Sequence, residues 1–320
     1  MQARKKNMER MAEVVVESDE QVLQHFLSNS NWDERGVLDQ VALGADELLG
    51  GSEETALLID ESGITKKGKK SVGVARQWNG RLGKVDNCQV GVYAALSRGR
   101  LSTLIDTRLY LPSCWVQDKA RCEAAQVPPK VRQSKSKPEL ALDMVRHNRR
   151  LGVRFCWVGA DGLYGNDPAF LRALEDDGEI FMVDVHKDQR IYLEDPQPAI
   201  PGSASGKGRK CTRPVAQCAS VRVDQWLKAQ PETAWKRVTL RDSSKGKLRV
   251  EILHQRVWSW NGKEAKARHW YLIVRREVGA HEEIKYSLSN APEKTSLKRL
   301  AQMQGQRYWI ERSFQDGKSQ

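Results

Sequence analysis

The sequence of 320 residues lacks several features that would define its class at once. No apolar run approaches the ~20 residues of a membrane-spanning helix. The first twenty residues, "MQARKKNMERMAEVVVESDE", contain no apolar segment of the kind found in a signal peptide. We find no internal repeat, and the six cysteines form no CxxC pair. These absences argue against a membrane protein or a secreted protein and predict reduced, mostly buried thiols in the cytoplasm.

Two cysteines, Cys211 and Cys218, lie in a polar stretch, where a zinc site would need two further ligands.

What the sequence has in excess is positive charge. Lys and Arg number 53 against 41 Asp and Glu, which gives a net charge of +12. Such a surplus favours a polyanionic partner, nucleic acid before an anionic membrane. The alternative is a protein that is basic without a partner of this kind.

The order of predicted elements indicates an α/β fold. The segment 1–50 has helical apolar spacing, and short β-branched or aromatic runs follow it. Strands are predicted at 55–60, 71–78, 88–96, 101–112, 153–161 and 179–185, and helices at 137–152 and 166–178. Residues 187–215 are predicted to be a loop, 234–278 a small antiparallel sheet, and 295–320 one long helix.

Three acidic residues stand where functional groups collect in α/β proteins. Asp60 closes the predicted strand "TALLID", Asp161 follows the strand in "WVGAD", and Glu311 lies on the last helix. Carboxylates from neighbouring strand ends and a helix can bind hard cations such as Mg²⁺. An aspartate after a strand is, however, more often a turn or helix cap than a ligand. Asp106, in "STLID", is interpreted as structural.

Three stretches, "LLIDESGITKKGKK", "VGADGLYG" and "RYWIERSFQDGK", carry a resemblance to a known family. They resemble the three acidic motifs of the DDE transposases, in particular the IS4-like group and its IS701-type relatives. The resemblance extends to the signature Tyr-x2-Arg-x3-Glu-x6-Lys, whose last three positions are Arg307, Glu311 and Lys318. Gln304 occupies the tyrosine position, which is a departure from the family pattern.

This resemblance implies a fold and a division of the chain. It implies an RNase H-like mixed sheet flanked by helices, with a β-rich insertion before the last helix. The expected parts are an N-terminal helical region (1–54), the first part of the core (55–186), the insertion (187–290) and the last core helix (291–320).

The resemblance also implies an activity. Asp60, Asp161 and Glu311 would be catalytic residues and would bind Mg²⁺ or Mn²⁺, as two ions. The enzyme would cleave DNA strands at transposon ends and transfer them to target DNA, as a homodimer on double-stranded DNA. Its expected location is the bacterial cytoplasm, associated with the nucleoid.

Basic and aromatic residues suggest where DNA would lie. Lys66, Lys67, Lys69 and Lys70 follow the first strand and could contact phosphates, as could Arg307, Lys318 and the run "KVRQSKSK" at 130–137. Trp258 and Trp260 alternate onto one face of a strand. Paired tryptophans are more often core packing. In the family that this chain resembles, an aromatic residue of the insertion stacks on a flipped base, so either tryptophan is a candidate.

Two other functions remain open from the sequence. One is an RNase H-like nuclease without strand transfer, and the other is an inactive DNA-binding fragment. The sequence ends nine residues after Glu311, and Gly317 disfavours helix there. We therefore expect the last helix to fray after Phe314 and the chain to be a truncated product.

Overall fold

The computed structural model describes residues 7–30, 32–80, 82–202, 211–243, 246–277 and 283–318. In this part of the chain the strands are β1 (Ala56–Thr65), β2 (Ala75–Asn79), β3 (Lys84–Arg98), β4 (Leu101–Leu109), β5 (Trp157–Ala160), β6 (Phe181–Val185), β7 (Arg190–Ile191), β8 (Val221–Arg222), β9 (Lys236–Ser243), β10 (Gly246–Ser259), β11 (Arg268–Glu277) and β12 (Ile284–Ser289).

The α-helices of the described residues flank these strands. They are α1 (Met8–Ala12), α2 (Glu20–Ser28), α3 (Glu34–Leu49), α4 (Ser113–Val116), α5 (Lys119–Ala124), α6 (Lys137–Leu151), α7 (Gly162–Gly165), α8 (Pro168–Asp176), α9 (Val223–Lys228), α10 (Leu297–Gln306) and α11 (Tyr308–Lys318). None of them is long and apolar enough to cross a membrane.

One ten-stranded sheet organises the molecule. Its strand order is β2-β3-β1-β5-β6-β12-β11-β10-β9, and β4 also pairs with β3. Strand β1 is antiparallel to β3 and parallel to β5, and β5 is parallel to β6. The predicted fold class, a mixed sheet flanked by helices, is confirmed, and the order β4-β3-β1-β5-β6 is consistent with an RNase H-like fold.

Helices cover both faces of this sheet. Successive apolar side chains of β1 point to opposite faces, and each face buries them under helices. Leu57 and Ile59 join the core formed with α3, α6 and α8. Ala56 and Leu58 point the other way, into the core formed with α10 and α11. The apolar residues predicted to line the last helix belong to this second core, with Leu300, Met303 and Ile310 buried and Phe314 packed against them.

The sequence suggested that β1 ends at Asp60, but the strand is longer. It continues to Thr65 because β3 pairs with it over its whole length, from Ala56 opposite Ser97 to Thr65 opposite Cys88. The parallel pairing with β5 does stop, at Ile59 opposite Ala160. Asp60 therefore lies at the edge where the parallel sheet ends, within a strand that extends further as a ribbon with β3.

In the predicted insertion, strands β9 to β12 extend the central sheet, whereas β7 and β8 pair only with each other as a separate two-stranded sheet. Strand β12 pairs with β6, from Tyr286 opposite Val185 to Ser289 opposite Met182. Strands β11, β10 and β9 then follow in antiparallel order. The predicted loop 187–215 contains the short strand β7, and residues 203–210 within it lie outside the described part of the chain.

The last helix is interrupted at Arg307. Helix α10 ends at Gln306, and α11 begins at Tyr308, where the amide of Ile310 donates to the carbonyl of Arg307 at 3.3 Å. Gln306 is buried, and its side-chain amide donates to the carbonyls of Glu54 at 2.9 Å and Ser97 at 3.1 Å. These contacts tie the interruption to the start of β1 and the end of β3.

Helix α11 extends through Lys318, beyond the predicted end at Phe314. An ion pair between Arg312 and Asp316, at 3.1 Å and spaced i, i+4, stabilises this last turn. The ring of Phe314 contacts that of Tyr93 at 5.2 Å, and Tyr93 lies directly opposite Asp60 on β3. The helix is thereby held over the strand that carries Asp60.

The six cysteines are free thiols, and only part of the prediction of burial holds. Cys88 and Cys122 are buried. Cys114, on the outer side of α4, and Cys156, just before β5, are exposed.

Asp106 is structural, as the sequence analysis interpreted it. It is buried and pairs with Arg35 of α3 at 2.9 Å and with Asn148 of α6 at 3.2 Å.

Candidate active site

The sheet register places three aspartates in one row. Ile59 pairs with Ala160, and Ala160 pairs with Val183, so the next residue along each strand is Asp60, Asp161 and Asp184. The carboxyl ends of parallel strands β1, β5 and β6 meet here, at the edge where α/β proteins carry their functional groups. We call these three residues the acid row.

Asp60 is held in a buried position with its carboxylate toward α11. The amide of Glu61 donates to its Oδ1 at 2.7 Å. Burial raises the pKa of Asp60, and the charge of Asp161 raises it further, to about 7, although Arg307 and the amide of Glu61 act in the opposite direction. Asp60 therefore changes its charge near neutral pH.

Asp161 is the N-cap of α7. Its Oδ1 accepts a hydrogen bond from the amide of Leu163 at 2.9 Å, so the capping role that sequence statistics favour is real. Burial raises its pKa, followed by the negative charge of Glu61, and Arg307 lowers it. Capping uses Oδ1 and leaves Oδ2 of Asp161 available in the acid row.

Arg307 connects α11 to this row. Its Nε lies 3.1 Å from Oδ2 of Asp184 and its Nη2 lies 2.7 Å from Oε1 of Glu311. Its Nη1 is 3.8 Å from Oδ2 of Asp60. Burial lowers the pKa of Arg307, but these carboxylates together with Asp161 raise it above its usual value. The guanidinium therefore offsets part of the negative charge of the acid row.

Asp184 was missed by sequence reasoning. Its Oδ1 accepts from the hydroxyl of Ser287 at 2.7 Å, and the amide of Gln304 donates to that hydroxyl at 2.7 Å. Gln304, at the signature tyrosine position, thus acts through Ser287 on a carboxylate that binds Arg307. A carboxylate inside the apolar run "FMVDV" is the signal that could have identified it, since Asp60 was found in the same way.

A second carboxylate, Glu61, was also missed. It points to the opposite face of β1, where it accepts from the hydroxyl of Tyr164 at 3.1 Å and pairs with Lys137 at 3.0 Å. Burial, followed by the charge of Glu61, raises the pKa of Tyr164 well above its ordinary value. Tyr164 therefore stays protonated and donates to Glu61.

Asp60 and Asp161 are the two predicted metal ligands that the structure brings side by side. Within the described ranges, no group of three or more His, Cys, Asp or Glu side chains is positioned to hold a metal ion. Asp60 and Asp161 still fit a divalent cation in their chemistry, because both offer hard oxygen donors and negative neighbours raise the pKa of each. Glu311 is paired with Arg307 and does not join them.

The predicted lysines lie away from the acid row but on the same edge of the sheet. Lys66, Lys67, Lys69 and Lys70 form the turn after β1, and all but Lys66 are exposed. Five residues separate Asp60 from Thr65, which places this turn about 17 Å beyond the acid row. The side-chain amide of Asn87 donates to the carbonyls of Lys66 at 2.6 Å and Gly68 at 2.9 Å. The side chain of Lys318 lies outside the described residues.

The two tryptophans predicted to contact DNA, Trp258 and Trp260, are not brought next to the acid row. Trp258 lies near the end of β10 and stacks on His269 at 4.4 Å. Strand β10 is five strand positions from β1, about 24 Å across the sheet. Trp260 follows the strand, and its indole nitrogen donates to the carbonyl of Glu264 at 2.9 Å.

Comparison with known proteins agrees with the motifs. A sequence profile of the DDE superfamily endonucleases matches residues 1–247. The "Probable transposase for insertion sequence element IS701" of Microchaete diplosiphon is 29% identical over 194 residues, which are 59% of this chain and 47% of that protein. The chain thus spans about half the length of this relative.

Among solved structures, the NurA nuclease from Sulfolobus solfataricus aligns over 88% of this chain and 85% of its own, with a TM-score of 0.33 and 8% identity. The profile match covers well over half of the chain, and the resemblance seen in the motifs is confirmed at the level of the family. The chain belongs to the family of DDE superfamily endonucleases.

Proposed function

We propose that this chain is the catalytic part of a transposase. It cleaves DNA strands at the ends of an insertion element. The resulting 3′-OH then attacks a phosphodiester of target DNA, which joins the element strand to the target and releases a 3′-OH of the target strand. The observation that carries the proposal is the acid row, in which the sheet register aligns Asp60 and Asp161. Glu311 on α11, and Arg307 just before this helix, lie over the same edge.

Asp60, Asp161 and Glu311 are the proposed metal ligands, with Mg²⁺ or Mn²⁺ as the cofactor and two ions in the working site. Members of the superfamily generally use divalent metal ions. A bound divalent ion would polarise the phosphodiester and lower the pKa of the attacking oxygen. For Glu311 to take part, its contact with Arg307 must open, because the guanidinium occupies Oε1 at 2.7 Å.

Arg307 has a second proposed role when DNA is present. Its guanidinium is held by Asp184 at the edge of the acid row, so it is aimed before DNA arrives. A planar guanidinium fork suits a phosphate as well as a carboxylate. We propose that DNA takes over part of this contact, which releases Glu311 toward the acid row.

DNA enters this proposal as a duplex that follows the positive surface. The exposed lysine turn at 66–70 lies on the same sheet edge as the acid row, and phosphate contacts there would provide affinity without sequence preference. The same proposal includes a homodimer as the working form, a location at the nucleoid and the four-part division of the chain. Stacking of Trp258 or Trp260 on a flipped base also belongs to it.

The test is a cleavage assay on duplexes that carry the terminal repeats of the element encoding this chain, with a plasmid as target. We expect Mg²⁺-dependent nicking at the repeat ends and covalent joining to the plasmid, both lost in Asp161→Asn. Nicking without joined products would instead indicate a nuclease that lacks strand transfer. Binding without nicking in any divalent metal would mean an inactive DNA-binding fragment and would overturn the proposal.

A further inference from the structure

A small cavity lies beside the interruption between α10 and α11, on the face of the sheet that α11 covers. Its volume is about 90 Å³, and its lining includes Arg241, Arg275, Lys285, Gln304, Tyr308 and Glu311. This is the volume that about three water molecules occupy in the liquid, and a phosphate group fits within it. The cavity borders the acid row through Asp184 and Arg307, which also line it.

Arg275 is a buried cation in this cavity, with 8% of its surface exposed. Among the described residues it has no hydrogen-bond or ion-pair partner, and burial lowers its pKa although Asp184 and Glu277 act against this. Lys285 lies directly opposite Arg275 on β12. Like charges in directly opposite positions of an antiparallel pair destabilise a sheet. The pairing of Arg275 with Lys285 is therefore expected to lower the stability of the sheet at this position.

Arg241 brings a third cation to the same space. Its guanidinium lies over the ring of Tyr308 at 4.1 Å and near that of Trp309 at 4.8 Å. Its Nη1 is buried and has no hydrogen-bond partner in the described part of the chain. The two aromatic rings fix the plane of the guanidinium, and the unpartnered Nη1 is available to an anion, as in a preformed anion site.

The charges that line the cavity do not balance. Arg307 is already paired with Asp184 and Glu311. The lining as a whole contains four cations, Arg241, Arg275, Lys285 and Arg307, and three carboxylates, Asp184, Glu277 and Glu311, so it carries one positive charge in excess. Lys285 has a further contact with Glu283 at 3.7 Å, and Glu283 lies mostly in solvent. Buried cations without partners are costly, so this excess of positive charge calls for an anion.

We propose that this cavity is a phosphate-binding site, and that its ligand is a backbone phosphate of the DNA being processed. The Cα atom of Arg275 is two strands and two residues from that of Asp184, a distance on the order of 12 Å. A phosphate there would belong to a nucleotide a few positions from the one in the acid row. The choice of DNA as the source rests on the proposed function, whereas the phosphate chemistry of the cavity does not.

The first arm of the test uses inorganic phosphate and thermal unfolding of the full chain at constant ionic strength. We expect phosphate, compared with chloride, to raise the melting temperature of the wild type and to have no such effect on Arg275→Gln. In chloride alone, Arg275→Gln should be as stable as the wild type or more stable, because the repulsion from Lys285 is removed. A variant that is less stable in chloride and still responds to phosphate would overturn the proposal.

The second arm measures duplex DNA affinity against salt concentration. Loss of one phosphate contact should reduce the slope of log affinity against log salt by about 0.9 in Arg275→Gln. The matched control is Arg150→Gln, which removes an equal charge from an exposed position on α6, on the opposite face of the sheet, and should leave the slope unchanged. If Arg275→Gln does not fold, Lys285→Gln tests the same site from a partly exposed position.

The two arms separate the possible failures. An unchanged slope in Arg275→Gln together with a lost phosphate response assigns the cavity to a free phosphate or nucleotide and contradicts the DNA assignment. A wild type that binds no duplex contradicts the proposed function, and the first arm still decides whether the cavity binds phosphate. Equal phosphate responses in wild type and variant contradict the site itself.

Discussion

Asp161 has an observed capping role and a proposed chemical role, which one substitution cannot separate. Its Oδ1 caps α7, and its carboxylate lies in the acid row beside Asp60. Asparagine caps a helix about as well as aspartate, whereas alanine does not. Asparagine also removes the negative charge that raises the pKa of Asp60. A pair of substitutions can therefore distinguish the structural role from the chemical one.

We expect Asp161→Asn and Asp161→Ala to be equally inactive in Mg²⁺-dependent cleavage but to differ in stability. Asp161→Asn should keep the free energy of unfolding in chelator-containing buffer, and Asp161→Ala should lose about 1 kcal/mol with the cap. Urea denaturation followed by circular dichroism measures this difference. A loss of several kcal/mol in Asp161→Asn would show that the carboxylate belongs to a buried structural network instead.

The raised pKa of Asp60 predicts that the stability of the protein depends on pH. Its folded-state pKa of about 7 lies above the value of about 3.9 for an unfolded aspartate. Protonation therefore favours the folded state, and the contribution of Asp60 is fully present below about pH 4 and is lost as the pH rises through 7.

Relative to the wild type, we expect Asp60→Asn to gain stability at pH 8 in metal-free buffer. The gain should be at most about 4 kcal/mol, because the pKa of Asp60 is raised by roughly three units. The gain should shrink toward pH 4.5. Urea midpoints of both proteins at pH 4.5, 6 and 8 provide the comparison. A difference that is constant with pH would mean that Asp60 ionises at its ordinary value.

The residues found and missed from the sequence differ in their surroundings. Asp60 and Asp161 stand at the ends of apolar runs within motifs that resemble a family, so local pattern was enough. Asp184 stands in a similar run, but its role depends on contacts with Ser287 and Arg307, more than 100 residues away along the chain. Such a contact is fixed by strand pairing, which no local pattern specifies.

At the scale of elements, α7 must approach β6 very closely for the acid row to form. A Cβ on Gly165 would lie 1.9 Å from the carbonyl oxygen of Asp184, which is backbone and cannot give way. Gly165 therefore lets the helix capped by Asp161 pack against the strand that carries Asp184.

We expect Gly165→Ala to destabilise the protein by about 1–3 kcal/mol, because the added methyl group overpacks this contact. The control is Gly162→Ala in the same helix, where the nearest atoms belong to the exposed ring of His186 at 3.2 Å. That ring can move, so the control should lose much less. Equal losses in the two variants, measured by urea denaturation, would argue against a tight contact between α7 and β6.

Elements with strong end signals could be predicted, and those shaped by tertiary contacts could not. Helix α6 begins with the capping box of Ser136 and Glu139 and ends at Gly152 with φ of 95°, close to the predicted range 137–152. The length of β1 depends on pairing with β3, and the interruption at Arg307 accompanies hydrogen bonds from Gln306 to Glu54 and Ser97. Neither is visible in local periodicity.

At the scale of the whole molecule, the β-rich insertion is part of the site as well as of the sheet. Strand β12 pairs with β6 and supplies Ser287 to Asp184. Strands β9, β11 and β12 supply Arg241, Arg275 and Lys285 to the cavity beside α11. The sequence predicted strands in the region of β9, β10 and β11, within 234–278, but not β12 or the attachment to β6, since the order of strands in a sheet is set by long-range packing.

The central claim is that Asp60 and Asp161, with Glu311, form a site for a divalent metal ion. The most direct test is calorimetric titration of Mn²⁺ into the chain bound to a DNA duplex at pH 8, where Asp60 is charged. Asp143→Asn serves as the control, because Asp143 lies on α6 and pairs with Lys135 at the surface. We expect wild type and control to bind Mn²⁺ alike and Asp60→Asn and Asp161→Asn to lose binding. Equal Mn²⁺ affinity in Asp161→Asn and wild type would contradict the account.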